Sequence, residues 1–177
     1  LGNVLARKGF YDVTLLSIEE EVVESINNQR LNAVYFPNVK LSRYLKATTD
    51  INILRDAEII FMAIPSTAVV DYLNDKKDYI NPDTIIVNLA KGFGKNYRLI
   101  PDCLVEILPN PLMMMKGPSF AREIINRQET GFTLASHFND NFSAVDELFE
   151  NTNIRFDFSN DVNGVEYSSI LKNIYAI

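Results

Sequence analysis

The residues best suited to chemistry stand where short apolar segments end. Gly117, Pro118 and Ser119 follow the apolar run 113–115 and precede residues 121–125, which are typical of the first turns of a helix. A glycine lets another group approach the backbone closely, and a serine hydroxyl beside the unpaired N–H groups of a helix start suits an anion or a polar substrate. The alternative is an ordinary helix entry that Ser119 caps.

A second candidate is Lys172, within residues 161–177. This segment predicts a helix that Asp161 caps, and its apolar residues are spread around nearly all sides, which is typical of a buried helix. Burying an ammonium group is costly unless it is paired or loses its proton. Lys172 therefore either has a function or extends from the helix end to solvent.

The elements that must position these residues alternate between strands and helices. We predict strands at 12–16, 57–64, 84–89, 113–115, 130–135 and 154–158, and helices at 1–8, 19–29, 66–76, 97–108, 141–149 and 161–177. Residues 46–50 are expected to lead into a short helix through Leu54. The alternation predicts an α/β fold with a doubly wound, mainly parallel sheet. Ligands of such sheets bind beyond the carboxyl ends of the strands, where Pro65, Lys91 and Gly117 to Ser119 fall.

Composition limits the classes of function. With 177 residues, of which 47% are hydrophobic, the chain is expected to fold as one main unit. A net charge of −6 without clusters of Lys and Arg argues against a nucleic-acid partner. One cysteine, Cys103, and one histidine, His137 in a loop, predict neither a disulfide framework nor a metal site. No apolar run approaches the ~20 residues of a membrane span and no signal peptide is recognisable, so we expect a cytoplasmic protein.

Five short motifs occur in order along the chain. They are LKATTD at 45–50, IPS at 64–66, AKG at 90–92, GPSFA at 117–121, and GVE at 164–166 with LKNIYAI at 171–177. Each motif alone is weak. Together, at compatible spacings across essentially the whole chain, they resemble the NAD(P)-dependent glycerol-3-phosphate dehydrogenases of the bacterial type.

This resemblance implies an oxidoreductase that transfers a hydride between NAD or NADP and a small phosphate substrate, sn-glycerol 3-phosphate or dihydroxyacetone phosphate, in glycerophospholipid synthesis. It implies the following residues: Lys172 as catalytic; Lys91, Gly117 and Ser119 as substrate-binding; Ile18, Tyr35, Pro65, Lys91 and Ala121 as cofactor-binding. We hypothesise that Lys172 exchanges a proton with the substrate oxygen while Lys91 and Ser119 orient the substrate. Because Ile18 offers no charge to a 2′-phosphate, NAD is slightly favoured over NADP.

Two parts of the family pattern lie outside this sequence. The Gly-x-Gly-x-x-Gly turn and first strand should precede Leu1, and a helical second domain should follow Ile177. We therefore expect an incomplete Rossmann-like dinucleotide-binding domain at 1–160, the start of a linking helix at 161–177, and no activity from this chain alone. Family members commonly form dimers, and the apolar final helix would permit a homodimer.

Two alternatives stay open. Related β-hydroxyacid and sugar-nucleotide dehydrogenases share the architecture, although the GPSFA motif argues against them. The other alternative is a non-catalytic dinucleotide-fold module or a gene fragment.

Overall fold

The computed structural model describes residues 1–138 and 141–175. Within them the strands are β1 Val13–Leu16, β2 Leu45–Thr48, β3 Ile59–Met62, β4 Ile85–Asn88, β5 Leu112–Lys116, β6 Thr130–Ala135 and β7 Ile154–Ser159. The α-helices are α1 Gly2–Ala6, α2 Glu20–Glu24, α3 Ser66–Lys76, α4 Ile100–Leu104, α5 Ala121–Ile125, α6 Phe142–Phe149 and α7 Val162–Tyr175. The predicted mainly parallel α/β fold is confirmed.

Five strands form one sheet in the order β3-β4-β5-β6-β7. β3, β4 and β5 are parallel, β6 runs antiparallel to β5, and β7 is parallel to β6. The reversal at β6 was not predicted. It carries the chain after β6 to the opposite edge, where the Ser136 hydroxyl donates to the Leu112 carbonyl at the start of β5 (3.0 Å). Since β7 also ends at that edge, α7 must run back along the sheet toward the carboxyl ends of β4 and β5.

β1 and β2 form a separate, two-stranded parallel sheet. The expectation that residues 46–50 lead directly into a helix is wrong for the first half of that stretch, because Leu45 to Thr48 pair with β1. Leu45 and Ala47 are buried while Lys46 is exposed, as expected for a strand with one covered face. The predicted short helix follows as a 3₁₀ segment, Ile51–Asp56, whose first turn Asp50 caps.

Two predicted helices are shorter than expected. The helix predicted at 19–29 is α2 followed by a π-helical turn, Ser25–Gln29. The helix predicted at 97–108 is α4, Ile100–Leu104, which starts later and ends earlier. It cannot start at Tyr97, because that residue adopts a left-handed backbone conformation (φ 58°).

Helices cover the five-stranded sheet on both faces, as its continuous apolar strands require. On one face α3 and α4 pack against β3 and β4; the buried residues there include Ile60, Val69, Leu73, Ile86, Ile100 and Leu104. On the other face α1, α5 and α6 pack against β4, β5 and β6; the buried residues there include Leu5, Val87, Met113, Met115, Ile124, Leu134, Val145 and Phe149.

The final helix, α7, differs from its prediction in one respect. Asp161 caps it as predicted, accepting from the Gly164 N–H at 2.8 Å. The expected burial on nearly all sides is wrong for residues 162–172, whose burial the structure describes: Tyr167 is 49% exposed, and among them only a stripe of Val162, Glu166 and Ser169 is buried. Residues 176 and 177 lie outside the described residues.

Candidate functional site

The carboxyl ends of β3, β4 and β5 form the edge at which the candidate residues lie. Pro65 follows β3, Lys91 follows β4, and Gly117 to Ser119 follow β5; the three strands are adjacent and parallel. α7 brings Lys172 to the same place, with its Nζ 5.1 Å from the centroid of the Phe120 ring. Residues far apart in the chain therefore meet at one edge of the sheet.

Lys91 is tied directly to the Gly117 corner. Its Nζ donates to the Gly117 carbonyl at 2.9 Å. Burial lowers the pKa of Lys91, and the nearby charge of Lys172 lowers it further. Two ammonium groups thus stand close together, which makes this edge attractive to an anion.

The structure explains the two glycines of this edge. A Cβ on Gly117 would lie 2.5 Å from the carbonyl oxygen of Gly131 on β6, so the group that approaches Gly117 is the protein's own backbone. Gly92 has a φ of 147°, and a Cβ there would collide with the Ser66 side chain at the start of α3. Both turns therefore pack closely against neighbouring elements.

Ser119 is not the helix cap. α5 begins at Ala121 after Phe120 as its N-cap residue, and the Glu123 carboxylate accepts from the Phe120 N–H at 3.3 Å. The simple interpretation of Ser119 as a cap is therefore wrong, and its half-buried hydroxyl lies beside the helix start without serving that role.

The predicted dinucleotide residues Ile18 and Tyr35 lie beyond β1, in the part of the chain that forms the two-stranded sheet. Ile18 is 91% exposed. The Tyr35 hydroxyl donates to the Glu19 carboxylate at 3.1 Å, and this contact raises the pKa of Tyr35. Neither Ile18 nor Tyr35 forms a hydrogen bond with Lys91 or with Gly117 to Ser119 in the described part of the chain.

Two of the predicted cofactor residues, Pro65 and Ala121, lie at the starts of helices. α3 starts at Ser66 without a side-chain cap, so its first N–H groups point past the end of β3, beside the exposed Pro65. Ala121 is likewise exposed at the start of α5. The sequence does not contain the glycine-rich turn that holds the pyrophosphate in such folds.

A buried polar cluster behind the site was missed by sequence reasoning. Lys116 and Glu166 are 3% and 0% exposed and form an ion pair, Nζ to Oε1, of 2.9 Å. Asn88, also buried, donates to Glu166 Oε1 at 3.4 Å. Strand alternation could have revealed Lys116, since it shares the face of β5 with Met114, against which α7 packs.

Burial disfavours both charges of this pair. It lowers the pKa of Lys116 and raises the pKa of Glu166, while the attraction between the two opposes both shifts. The second carboxylate oxygen, Glu166 Oε2, has no hydrogen-bond partner among the described residues.

The part of the chain that the structure describes contains neither a candidate metal site nor a candidate membrane-spanning helix. No group of three His, Cys, Asp or Glu side chains there could hold a metal ion. No helix there is both long and apolar enough to cross a membrane.

Comparison with known proteins identifies the family. The family model described as the N-terminus of NAD-dependent glycerol-3-phosphate dehydrogenase matches residues 1–142. This chain belongs to that family. A glycerol-3-phosphate dehydrogenase of Leptospira biflexa, named for use of NAD(P)+, is 38% identical over 183 residues, covering 100% of this chain and 55% of the relative.

Solved structures agree at the level of fold. The crystal structure of glycerol-3-phosphate dehydrogenase from Coxiella burnetii has a TM-score of 0.92 at 31% identity, covering 99% of this chain and 55% of that one. A UDP-D-ManNAc dehydrogenase of Pyrococcus horikoshii shares the fold alone, with a TM-score of 0.73 at 10% identity. The match covers 98% of this chain and 47% of the Pyrococcus chain. The chain spans about half the length of the curated relatives it matches.

Proposed function

We propose that the extended protein, meaning this chain with any segments that its gene encodes on either side, interconverts sn-glycerol 3-phosphate and dihydroxyacetone phosphate with NAD or NADP. The observation that carries the proposal is the meeting of Lys91, Lys172 and the Gly117–Ser119 corner at one sheet edge, in a member of this family. The physiological setting we propose is cytoplasmic glycerophospholipid synthesis.

Lys172 is the proposed proton donor and acceptor. In the direction of reduction the substrate carbonyl carbon gains a hydride and its oxygen gains a proton, which Lys172 supplies; in oxidation the proton returns to Lys172. The bound dinucleotide supplies or accepts the hydride. Phe120 lies against the Lys172 ammonium and limits its freedom, since an aromatic face attracts a cation.

Lys91 and Ser119 orient the substrate in this proposal. A phosphate ester carries negative charge, and the neighbouring ammonium groups of Lys91 and Lys172 attract it. The Ser119 hydroxyl and the contact of Lys91 with Gly117 fix the direction from which the substrate approaches. A substrate held in this way has its oxygen within reach of Lys172.

Ile18, Tyr35, Pro65, Lys91 and Ala121 are the proposed cofactor contacts. Ile18 is almost fully exposed and carries no charge, so it gives no attraction to the 2′-phosphate of NADP. We therefore propose NAD as the preferred dinucleotide. We also propose that residues 1–160 form an incomplete dinucleotide-binding domain, that 161–177 lead into a further helical domain, and that the protein forms a homodimer.

The test is the oxidation of NADH by dihydroxyacetone phosphate, measured by the loss of NADH absorbance. The expected result is turnover by the extended protein, a lower KM for NADH than for NADPH, and no turnover by this chain alone, which lacks the glycine-rich turn. An extended protein that is folded but inactive with both dinucleotides would contradict the proposal and favour the non-catalytic alternative. The control reaction runs in the direction of oxidation, with a UDP-sugar and NAD+, the pair that sugar-nucleotide dehydrogenases use; the extended protein should form no NADH from it.

A further inference from the structure

The buried cluster behind the site joins three elements. Lys116 closes β5, Asn88 closes β4, and Glu166 lies in the middle of α7. Besides its ion pair with Glu166, the Lys116 Nζ donates to the carbonyl of Ala90, the residue before Lys91. Asn88 Oδ1 accepts from the Ala90 N–H at 3.1 Å. The turn that carries Lys91 is therefore held from both sides by this cluster.

Two lysines interlock the turns after β4 and β5. Lys116 donates to Ala90, immediately before Lys91, while Lys91 donates to Gly117, immediately after Lys116. Each of the two turns therefore lies beside a lysine whose ammonium group donates a hydrogen bond to a backbone carbonyl of the other turn. Displacing Lys116 would loosen the peptide segment on which Lys91 stands.

Glu166 connects this arrangement to Lys172. The two residues are six positions apart on α7, about 9 Å at 1.5 Å per residue. Between them Ser169 is also buried, and its hydroxyl donates to the Glu166 carbonyl at 2.8 Å. Since α7 packs on β5 and β6 through a narrow stripe, the contact at Glu166 limits both the rotation of α7 and its sliding along the sheet.

Stability alone does not account for this ion pair. Buried pairs are often matched or exceeded in stability by apolar residues of similar size, and here one carboxylate oxygen is left without a partner among the described residues. Directional contacts, by contrast, fix a helix at one register, which apolar packing does less strictly.

We propose that Lys116 and Glu166 are a positioning pair, which holds α7 against the turns after β4 and β5 and thereby sets the place of Lys172 relative to Lys91. The effect of this pair on turnover rests on the proposed function. The effect of the pair on the placement of α7 is independent of the proposed function.

The test compares single and double variants of the extended protein. Lys116→Met and Glu166→Gln each leave one buried charge without its opposite, so both should lower the melting temperature. The double variant Lys116→Met/Glu166→Leu removes both charges and keeps the volume, so its melting temperature should recover above that of either single variant. Its kcat should nevertheless stay about 10- to 100-fold below wild type, because misplacement of a reacting group by ~1 Å has effects of this size. Because Lys91 is also a proposed cofactor contact, the KM for NADH should rise together with this loss of kcat.

Amide hydrogen exchange gives a second measurement that needs no activity. In the double variant, exchange should be faster than in wild type in residues 89–93 and in the second half of α7. The control is Asp12→Asn/Lys46→Met, which removes an exposed ion pair of 2.8 Å in the separate two-stranded sheet and should change neither exchange in these segments nor kcat.

Three results would overturn the inference: wild-type exchange in both segments, wild-type kcat in the stable double variant, or a double variant less stable than both single variants. The last would make the pair a stabilising element of the core. If the wild-type extended protein is inactive, the proposed function fails, but the exchange measurement still decides whether the pair positions α7.

Discussion

At the scale of single residues, the site consists of lysines whose neighbours differ. Lys91 is bonded to the Gly117 carbonyl, Lys116 is buried against Glu166, and Lys172 lies over the Phe120 ring. Charge repulsion between Lys91 and Lys172 has a measurable consequence, because it lowers the pKa of Lys91.

Replacing Lys172 with Met should raise the pKa of Lys91. The variant removes the repulsion, so Lys91 keeps its proton to higher pH; burial, the larger cause, remains, so the pKa stays below that of an ordinary lysine. NMR titration of labelled lysine side chains measures this shift, with Lys46→Met, an exposed residue paired to Asp12, as the control. A pKa of Lys91 that stays the same or falls would contradict the proximity of the two charges.

The lowered pKa of Lys91 also makes the stability of the fold depend on pH. The folded protein releases the Lys91 proton before the unfolded chain does, so the contribution of Lys91 becomes more favourable as pH rises through its folded pKa toward its unfolded value of about 10.4. The pH dependence of stability in that window should weaken in Lys91→Met.

Gly117→Ala should destabilise the fold through β6. The added Cβ would lie 2.5 Å from the Gly131 carbonyl oxygen, which cannot move without disturbing the pairing of β6 and β7, where Gly131 lies opposite Arg155. We expect the free energy of unfolding to fall by about 1–3 kcal/mol, as for other overpacked sites. Urea unfolding measures it. The matched control is Gly131→Ala, where a Cβ meets nothing within 4 Å; a similar loss in both variants would rule out the clash as the cause.

At the scale of elements, the reversal between β5 and β6 decides where α7 begins. Because β7 ends at the edge opposite the site, α7 crosses the sheet and delivers Lys172 to the carboxyl ends of β4 and β5. The position at which α7 starts therefore helps to determine where Lys172, about three turns later, is placed.

Asp161→Ala should weaken the start of α7. Asp161 accepts from the Gly164 N–H at 2.8 Å, and loss of such a cap costs about 1 kcal/mol. Urea unfolding of the extended protein should show this loss, whereas Asp161→Asn, which keeps an acceptor, should stay close to wild type. Equal losses in both variants would indicate that the charge of Asp161 matters and not its capping bond.

Much of the element pattern could be predicted from sequence, and the reasons differ from place to place. Continuous apolar runs such as 84–89 identify buried strands, and β6 was predicted with its observed bounds, Thr130–Ala135. β2 was missed because Lys46 and Thr48 give no long apolar run; its pairing with β1 makes it a strand. The antiparallel direction of β6 depends on tertiary packing, which local sequence does not encode.

Some features of the candidate site could likewise be predicted from the sequence, and others could not. Pro65, Lys91 and Gly117 could be placed at one edge because parallel strands end together. The Lys116–Glu166 pair joins positions 50 residues apart, and without the path of α7 the sequence gives no sign that they meet. The requirement for glycine at 117 was expected, but its cause, the Gly131 carbonyl, became evident only from the packing of β6.

At the scale of the whole molecule, the candidate site lies in a chain that corresponds to part of its relatives. It spans about half the length of its curated relatives, and it contributes the lysines and the Gly117 corner but no glycine-rich turn. We propose that Lys172 exchanges the proton of the reaction while the rest of the edge binds the cofactor and the substrate.

The most direct measurement is the kcat of Lys172→Ala in the extended protein, with dihydroxyacetone phosphate and saturating NADH, beside the dissociation constant of NADH from fluorescence. We expect kcat to fall by about 10²- to 10⁴-fold, the range for loss of a general acid, while NADH affinity stays close to wild type. Lys46→Ala, which removes an exposed lysine remote from the edge, should match wild type in both. Turnover retained in Lys172→Ala would contradict the proposed role of Lys172 as the proton donor and acceptor.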